Sequence, residues 1–91
     1  MKEEYYAIEI KQKDNVLYLK NIYSYTFTGK LKLYLTYKKN VIDAKRYKTL
    51  RNAQKNVDKI TSWFESEGKG EGISIKPLKV EVEINIKTVQ L

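Results

Sequence analysis

Residues 44–68 read AKRYKTLRNAQKNVDKITSWFESEG and contain the clearest helical pattern of the chain. Apolar side chains recur there at intervals of three and four residues, and polar side chains fill the positions between them. The apolar positions are Leu50, Ala53, Val57, Ile60 and Phe64. Thr49 before the pattern and Gly68 after it are typical helix caps, so we expect a helix of about 17 residues and roughly 25 Å. A start at Asp43 is the alternative.

Several stretches around this helix alternate in character with the period of two that indicates β-strands. Residues 5–11 predict the first strand, turn residues follow at 13–15, and residues 16–20 predict the second strand of a hairpin. The run 22–29, IYSYTFTG, is rich in aromatic and β-branched residues. It either extends the second strand or forms a wide connection.

The third strand, Lys30–Lys38, has the strongest alternation, with Leu31, Leu33, Leu35 and Tyr37 on one face and mainly lysines on the other. The last strand is predicted over residues 78–87. Its inward-facing positions are Leu78, Val80, Val82, Ile84 and Ile86. We expect Pro77 to separate this strand from residues 73–76, because proline has no amide hydrogen for a strand ladder.

The predicted order is therefore strand, strand, strand, helix, strand, within a single domain that spans residues 1–91. Such an order indicates an α+β fold with two layers, in which an antiparallel sheet of three to four strands packs on one helix. The first three strands form a meander. The fourth strand returns either beside the first strand or beside the third, and the sequence leaves both placements open.

Composition excludes many chemistries. The chain has 91 residues, no cysteine and no histidine, so disulfides, thiolate nucleophiles and histidine general bases are excluded. Carboxylate-only catalysis stays open, but no glutamate lies in a recognisable catalytic motif. We therefore expect a protein that is not an enzyme and needs no cofactor or metal.

Charge and hydropathy limit the classes of partner that the protein can have. The net charge of +7 permits an anionic partner, or it keeps a lysine-rich surface soluble. No apolar run approaches the roughly 20 residues that span a bilayer, and residues 1–4 lack the apolar region of a secretory signal. We expect a cytoplasmic protein that does not bind a membrane.

A cluster of basic residues in and before the helix is the first candidate site. Its members, together with a tryptophan one position off the apolar stripe, are Lys45, Arg46, Lys48, Arg51, Lys55, Lys59 and Trp63. From Arg51 onward the cations recur every four residues, as along one helix face, and could dock on an acidic protein surface or on phosphates. The alternative is a solvated helix face whose charge is relieved by Asp58, with Trp63 in edge packing.

The sheet face away from the helix is the second candidate, as a nucleic-acid-binding surface. The residues predicted there are Tyr5, Tyr18, Tyr34, Lys20, Lys30 and Lys32. Tyrosines amid lysines on an open sheet can hold single-stranded nucleic acid, because bases stack on the rings while cations follow the backbone. The alternative is that the tyrosines reflect β-propensity and that the lysines form ordinary cross-strand ion pairs.

Two segments carry a resemblance to a known class of proteins. They are YYAIEIKQKDNVLYL at residues 5–19 and TYKKNVIDAKRYKTLRNAQK at residues 36–55. With these segments the first 60 residues or so resemble short accessory proteins of temperate phages of Gram-positive bacteria, including staphylococcal-phage families of unknown function. The block AKRYKTLRNA also resembles the arm-binding domain of phage integrases, but a fourth strand follows the helix here and no recombinase catalytic domain does.

The resemblance implies a non-enzymatic protein that acts by binding in the cytoplasm of a bacterial host, and it brings no mapped site. Such proteins include inhibitors of host defence nucleases, so the first hypothesis is an anti-CRISPR-like protein that binds and inhibits a host nucleic-acid-handling or defence protein. The alternative is a direct nucleic-acid-binding module that uses the basic helix face or the tyrosine and lysine sheet face. A third hypothesis is an oligomerising protein that pairs through an exposed edge strand.

Overall fold

The computed structural model describes residues 2–85 and 87–90. Its elements are β1 (Lys2–Gln12), β2 (Asn15–Phe27), β3 (Lys30–Lys38), a 3₁₀ turn (Val41–Asp43), α1 (Leu50–Ser66) and β4 (Ile73–Glu83). The four strands form one antiparallel sheet in the order β3-β2-β1-β4. The α+β fold and the order β-β-β-α-β are thus confirmed, and the last strand lies beside β1.

The helix begins where its cap predicts. The Thr49 hydroxyl accepts a hydrogen bond from the Asn52 amide at 3.2 Å, and Gly68 adopts a left-handed conformation after the last turn. The alternative start at Asp43 is wrong, because residues 41–43 form a separate 3₁₀ turn. Leu50 differs from the prediction too: it lies at the edge of the apolar stripe and is 51% exposed.

The structure decides the bounds of two strands. Residues 22–27 extend β2, which confirms the first of the two alternatives for this run. In β4, Pro77 does not break the strand: it lies opposite Ile8 within a continuous ladder. Proline is tolerated there because β4 is an edge strand. The strand ends at Glu83, so Ile84 lies beyond it, and Ile86 lies outside the described residues.

Apolar side chains are buried on both faces of the sheet. The larger core lies beneath α1 and consists of Ile8, Ile10, Leu19, Tyr47, Ala53, Val57 and Ile60. A smaller core on the opposite face consists of Tyr5, Ala7 and Ala44, with Tyr18, Val41, Val80 and Val82 packed against it. The predicted orientation of β4 is therefore wrong. Its residues Ile73 and Ile75 pack on the helix side, whereas Val80 and Val82 pack on the far side.

The sheet forks between β1 and β2. Their ladder joins only residues 9–12 of β1 to residues 15–18 of β2. Beyond that point residues 44–47 lie between the two strands: the Lys45 amide donates to the Leu19 carbonyl at 2.8 Å. On the other side, Tyr47 and Tyr6 exchange two backbone hydrogen bonds, each of 2.8 Å.

This inserted segment also connects the two cores. Ala44 packs in the far-side core and Tyr47 in the helix-side core, so the chain crosses from one face of the sheet to the other within four residues. The far ends of β2 and β3 then continue as a two-stranded hairpin, paired to each other as far as Phe27 and Lys30.

Candidate partner-binding site

The hairpin formed by β2 and β3 carries four exposed aromatic side chains on one face. We call this surface the aromatic face; its residues are Tyr23, Tyr25, Phe27 and Tyr34, which are 53%, 53%, 62% and 60% exposed. Tyr23 lies directly opposite Tyr34 in the ladder, and their ring centroids are 6.1 Å apart. Rings of this size are usually buried in a small domain, so their shared exposure makes the face a candidate contact surface.

Local sequence explains why these rings share a face. The alternation Y-S-Y-T-F places the first three rings on one side of β2, because side chains alternate along a strand. Thr28 and Gly29 both have positive φ, 51° and 77°, as required by the tight two-residue turn whose twist matches a hairpin. This turn fixes the register, so Lys30 and Lys32 lie opposite Phe27 and Tyr25 on the aromatic face.

All charged residues in the sequence of the hairpin are cations. Residues 15–42 contain five lysines and neither aspartate nor glutamate. Lys32 is held from outside this stretch: its Nζ lies 2.7 Å from Glu67 Oε1, beyond the end of α1. The hydrogen bond from Lys32 lowers the pKa of the Glu67 carboxyl below its usual value, and the positive charge of Lys32 lowers this pKa further. Lys30, at the turn, pairs with no carboxylate among the described residues.

The basic cluster predicted from the sequence is only partly one surface. Arg51, Lys55 and Lys59, which we call the basic row, are exposed along α1. Within residues 2–85 and 87–90 none of the three forms an ion pair. The Asp58 carboxylate accepts a hydrogen bond from Gln54 at 2.9 Å, and it forms no ion pair with the row in the described part of the chain. By contrast, five other cations pair with carboxylates: Lys2, Lys32, Arg46, Lys76 and Lys79.

The other members of that cluster lie apart from the basic row. The Arg46 guanidinium covers the Tyr5 ring at 4.4 Å and lies 3.5 Å from Glu3. Lys45 lies over the Tyr47 ring at 5.8 Å, on the other side of the inserted segment. Lys48 is exposed between this segment and α1. The inserted segment therefore distributes its cations over two faces, whereas the prediction placed them in one cluster.

Trp63 is half-buried beside the basic row. Its ring lies 5.2 Å from that of Phe64, and it borders a shallow groove with Leu31 and Leu33 of β3. Its indole nitrogen is buried and has no hydrogen-bond partner among the described residues. This position fits edge packing between α1 and β3, one of the two alternatives for this residue.

The predicted tyrosine and lysine site divides into buried and exposed parts. Tyr5 lies on the predicted face but is only 5% exposed, and its hydroxyl donates to the Val41 carbonyl at 3.4 Å. The prediction that the Tyr5 ring is available for stacking is therefore wrong. Tyr18 is half-buried against the same far-side core. Lys20 lies at a register irregularity between Leu19 and Asn21. Only Tyr34, Lys30 and Lys32 meet as predicted, on the aromatic face.

Sequence reasoning missed Tyr23, Tyr25 and Phe27 as site residues. The signal was present as three aromatic residues at intervals of two, followed by a Thr-Gly turn and the clearest strand of the chain. Interpreting residues 22–29 as a strand would have placed all three rings on one face.

Neither a metal site nor a membrane-spanning helix is found in the part of the chain that the structure describes. In that part no group of three or more carboxylate, histidine or cysteine side chains is placed to hold a metal ion. Nor is any helix of the described residues long and apolar enough to cross a membrane.

Comparison with known proteins adds no assignment. No family model matches the chain, and neither the curated proteins nor the solved structures contain a match. The resemblance to phage accessory proteins therefore stays a prediction.

Proposed function

We propose that the protein is a non-enzymatic binding protein of the phage accessory type, which binds and inhibits a host nucleic-acid-handling or defence protein. A CRISPR nuclease is the first candidate. The observation that supports this proposal is the basic row, whose three cations are exposed and have no carboxylate partner among the described residues. Spaced by four residues, they extend over about 12 Å of helix, enough to meet several acidic groups on a partner.

Charge restricts how such an inhibitor would bind. A nuclease holds its guide and target strands in a positively charged channel. A protein with a net charge of +7 is repelled from such a channel, so it does not act as a nucleic-acid mimic. The basic row instead fits an acidic patch on the nuclease or the phosphates of the strands already bound there. Affinity through this row therefore falls as salt rises.

A charge-reversal variant tests the proposal. Arg51→Glu, Lys55→Glu and Lys59→Glu together lower the net charge by about six units, because each substitution replaces a cation with an anion. We expect the wild type to co-elute with the guide-loaded nuclease and to slow target cleavage, and this variant to do neither. Size-exclusion chromatography and a cleavage time course measure the two effects.

A matched control separates the position of the charge from its amount. Lys11→Glu, Lys69→Glu and Lys87→Glu change the net charge equally at exposed positions that are not part of the basic row. This control retains inhibition if the row is the contact. Equal loss in both triple variants would refute the role of the row, and a wild type that neither co-elutes nor slows cleavage would remove that nuclease as the target.

A further inference from the structure

We infer that the aromatic face binds single-stranded nucleic acid. This surface is separate from the basic row, because Leu31 and Leu33, which border a groove with Lys59 of that row, lie on the opposite face of the hairpin. The inference is therefore independent of the proposed inhibitor function. Each surface can be tested without the other.

The first argument is that the fold does not use these rings. In the described part of the chain neither core contains any of the four, and the only ring contact among them is that between Tyr23 and Tyr34, tilted by 32°. Tyr25 and Phe27 lie further out, toward the turn. Four large rings more than half exposed on adjacent strands form a platform that a flat ligand can cover.

The second argument concerns the spacing of the rings. Successive residues on one face of a strand are roughly 7 Å apart. This is about twice the 3.4 Å rise per nucleotide of a helical strand, so bases that each cover one of Tyr23, Tyr25 and Phe27 must be separated from one another. A single strand can separate its bases at low cost, whereas a duplex would have to break pairs and stacks. The spacing thus favours a single strand.

The third argument concerns charge and favours nucleic acid over a protein partner. The rings lie on a hairpin whose charged residues are all lysines, and Lys30 faces solvent at its turn. Lysine is depleted from protein interfaces, whereas lysines beside exposed rings are the usual arrangement for single-stranded nucleic acid. Because Glu67 already neutralises Lys32, we expect Lys30 to make the nearer phosphate contact.

Fluorescence anisotropy with labelled single strands tests the inference. Suitable probes are oligomers of deoxythymidine and of uridine, about 15 nucleotides long, since such proteins cover roughly 4 to 16 nucleotides per site. We expect saturable binding by the full chain at about 50 mM salt, with affinity that falls as salt rises. Tyr25→Ala and Phe27→Ala each weaken binding roughly 5- to 150-fold, the loss of one stacked base.

Two controls fix the interpretation. Tyr25→Phe keeps the ring and removes only the hydroxyl, so it retains nearly full affinity if stacking is the contact. Ile42→Ala removes an apolar side chain that is 58% exposed outside the hairpin, and it leaves affinity unchanged. Circular dichroism checks that the alanine variants stay folded, which their exposure predicts.

Each contrary outcome overturns the inference and leaves the proposed inhibitor function to its own test. One is the absence of saturable binding to either oligomer. Another is binding that survives the alanine substitutions and is lost in the Arg51, Lys55 and Lys59 triple variant, which would assign it to the basic row. A third is that a duplex of the same length binds as tightly as the single-stranded oligomers. A fourth is that the wild type binds neither oligomer, but co-elutes with a nuclease and loses this co-elution on Tyr25→Ala. That result would make the aromatic face a protein contact.

Discussion

Replacing Tyr47 with phenylalanine should stabilise the protein. Tyr47 is 8% exposed in the helix-side core, where its backbone pairs with Tyr6. Its hydroxyl oxygen is buried and has no hydrogen-bond partner among the described residues. Tyr47→Phe removes this group and leaves both backbone hydrogen bonds and the ring in place.

The magnitude follows from the cost of an unsatisfied buried polar group, which is about 1–3 kcal/mol. We expect a gain near the lower end, about 1 kcal/mol in the free energy of unfolding, because removal of the hydroxyl also leaves a small void. For a chain of this size, 1 kcal/mol raises the melting temperature by about 4–8 °C.

The pH dependence supplies a second signature. Burial raises the pKa of Tyr47 above its ordinary value of 10.0, so the folded state binds this proton more tightly than the unfolded state does. That contribution to stability is fully present below about pH 10 and is lost as pH rises through the folded pKa. The phenylalanine variant lacks this loss. Its advantage over the wild type should therefore widen above pH 10, even though Tyr37, whose pKa burial also raises, still titrates in both proteins.

Urea unfolding followed by circular dichroism measures the difference. Tyr25→Phe is the matched control: its hydroxyl belongs to a ring that is 53% exposed, so its removal changes stability by less than about 0.5 kcal/mol. A Tyr47→Phe variant less stable than the wild type would refute the reasoning, because the hydroxyl would then have a stabilising partner. An advantage that does not change between neutral pH and pH 11 would refute the pKa argument alone.

Two further predictions concern the ends of the helix. Thr49→Ala removes the hydroxyl that caps α1 and should cost about 1 kcal/mol, measured by the same urea titration; an unchanged midpoint would show that the cap contributes nothing. At the other end the Lys32 hydrogen bond lowers the pKa of Glu67, so this pair adds stability above about pH 4.5 that is lost as pH falls through the lowered pKa. Glu67→Gln should therefore weaken the acid dependence of the melting temperature, and the variant and the wild type should differ least at pH 2.

The elements with strong local signals could be predicted from the sequence. The helix has both a cap and an apolar stripe, and β3 alternates without interruption, so both were predicted with correct bounds. The orientation of β4 could not be predicted. Period-two alternation shows which residues share a face, but only the ladder with β1, which places Ile75 opposite Ile10, decides which face meets the helix.

The inserted segment was the least predictable feature. Residues 44–47 lack a strand pattern, and Lys45 and Tyr47 bond to Leu19 and Tyr6, which lie about 26 and 41 positions away in the chain. Their position in the fork determines which residues of the predicted tyrosine and lysine site are buried. It brings Arg46 and Ala44 over Tyr5, and so buries a ring that the sequence pattern alone leaves exposed.

The fork also argues against explaining the exposed rings by β-propensity alone. Tyr5 and Tyr23 both lie on the far side of the sheet, each in an alternating strand. Where residues 41–44 cover that side, the ring is buried; beyond the fork, where the hairpin continues alone, the rings stay exposed. β-propensity accounts for aromatic residues in both strands, but it would be satisfied equally by valine or threonine at the exposed positions. Four large rings at those positions, on a hairpin without a single carboxylate, point instead to a ligand that stacks and carries negative charge.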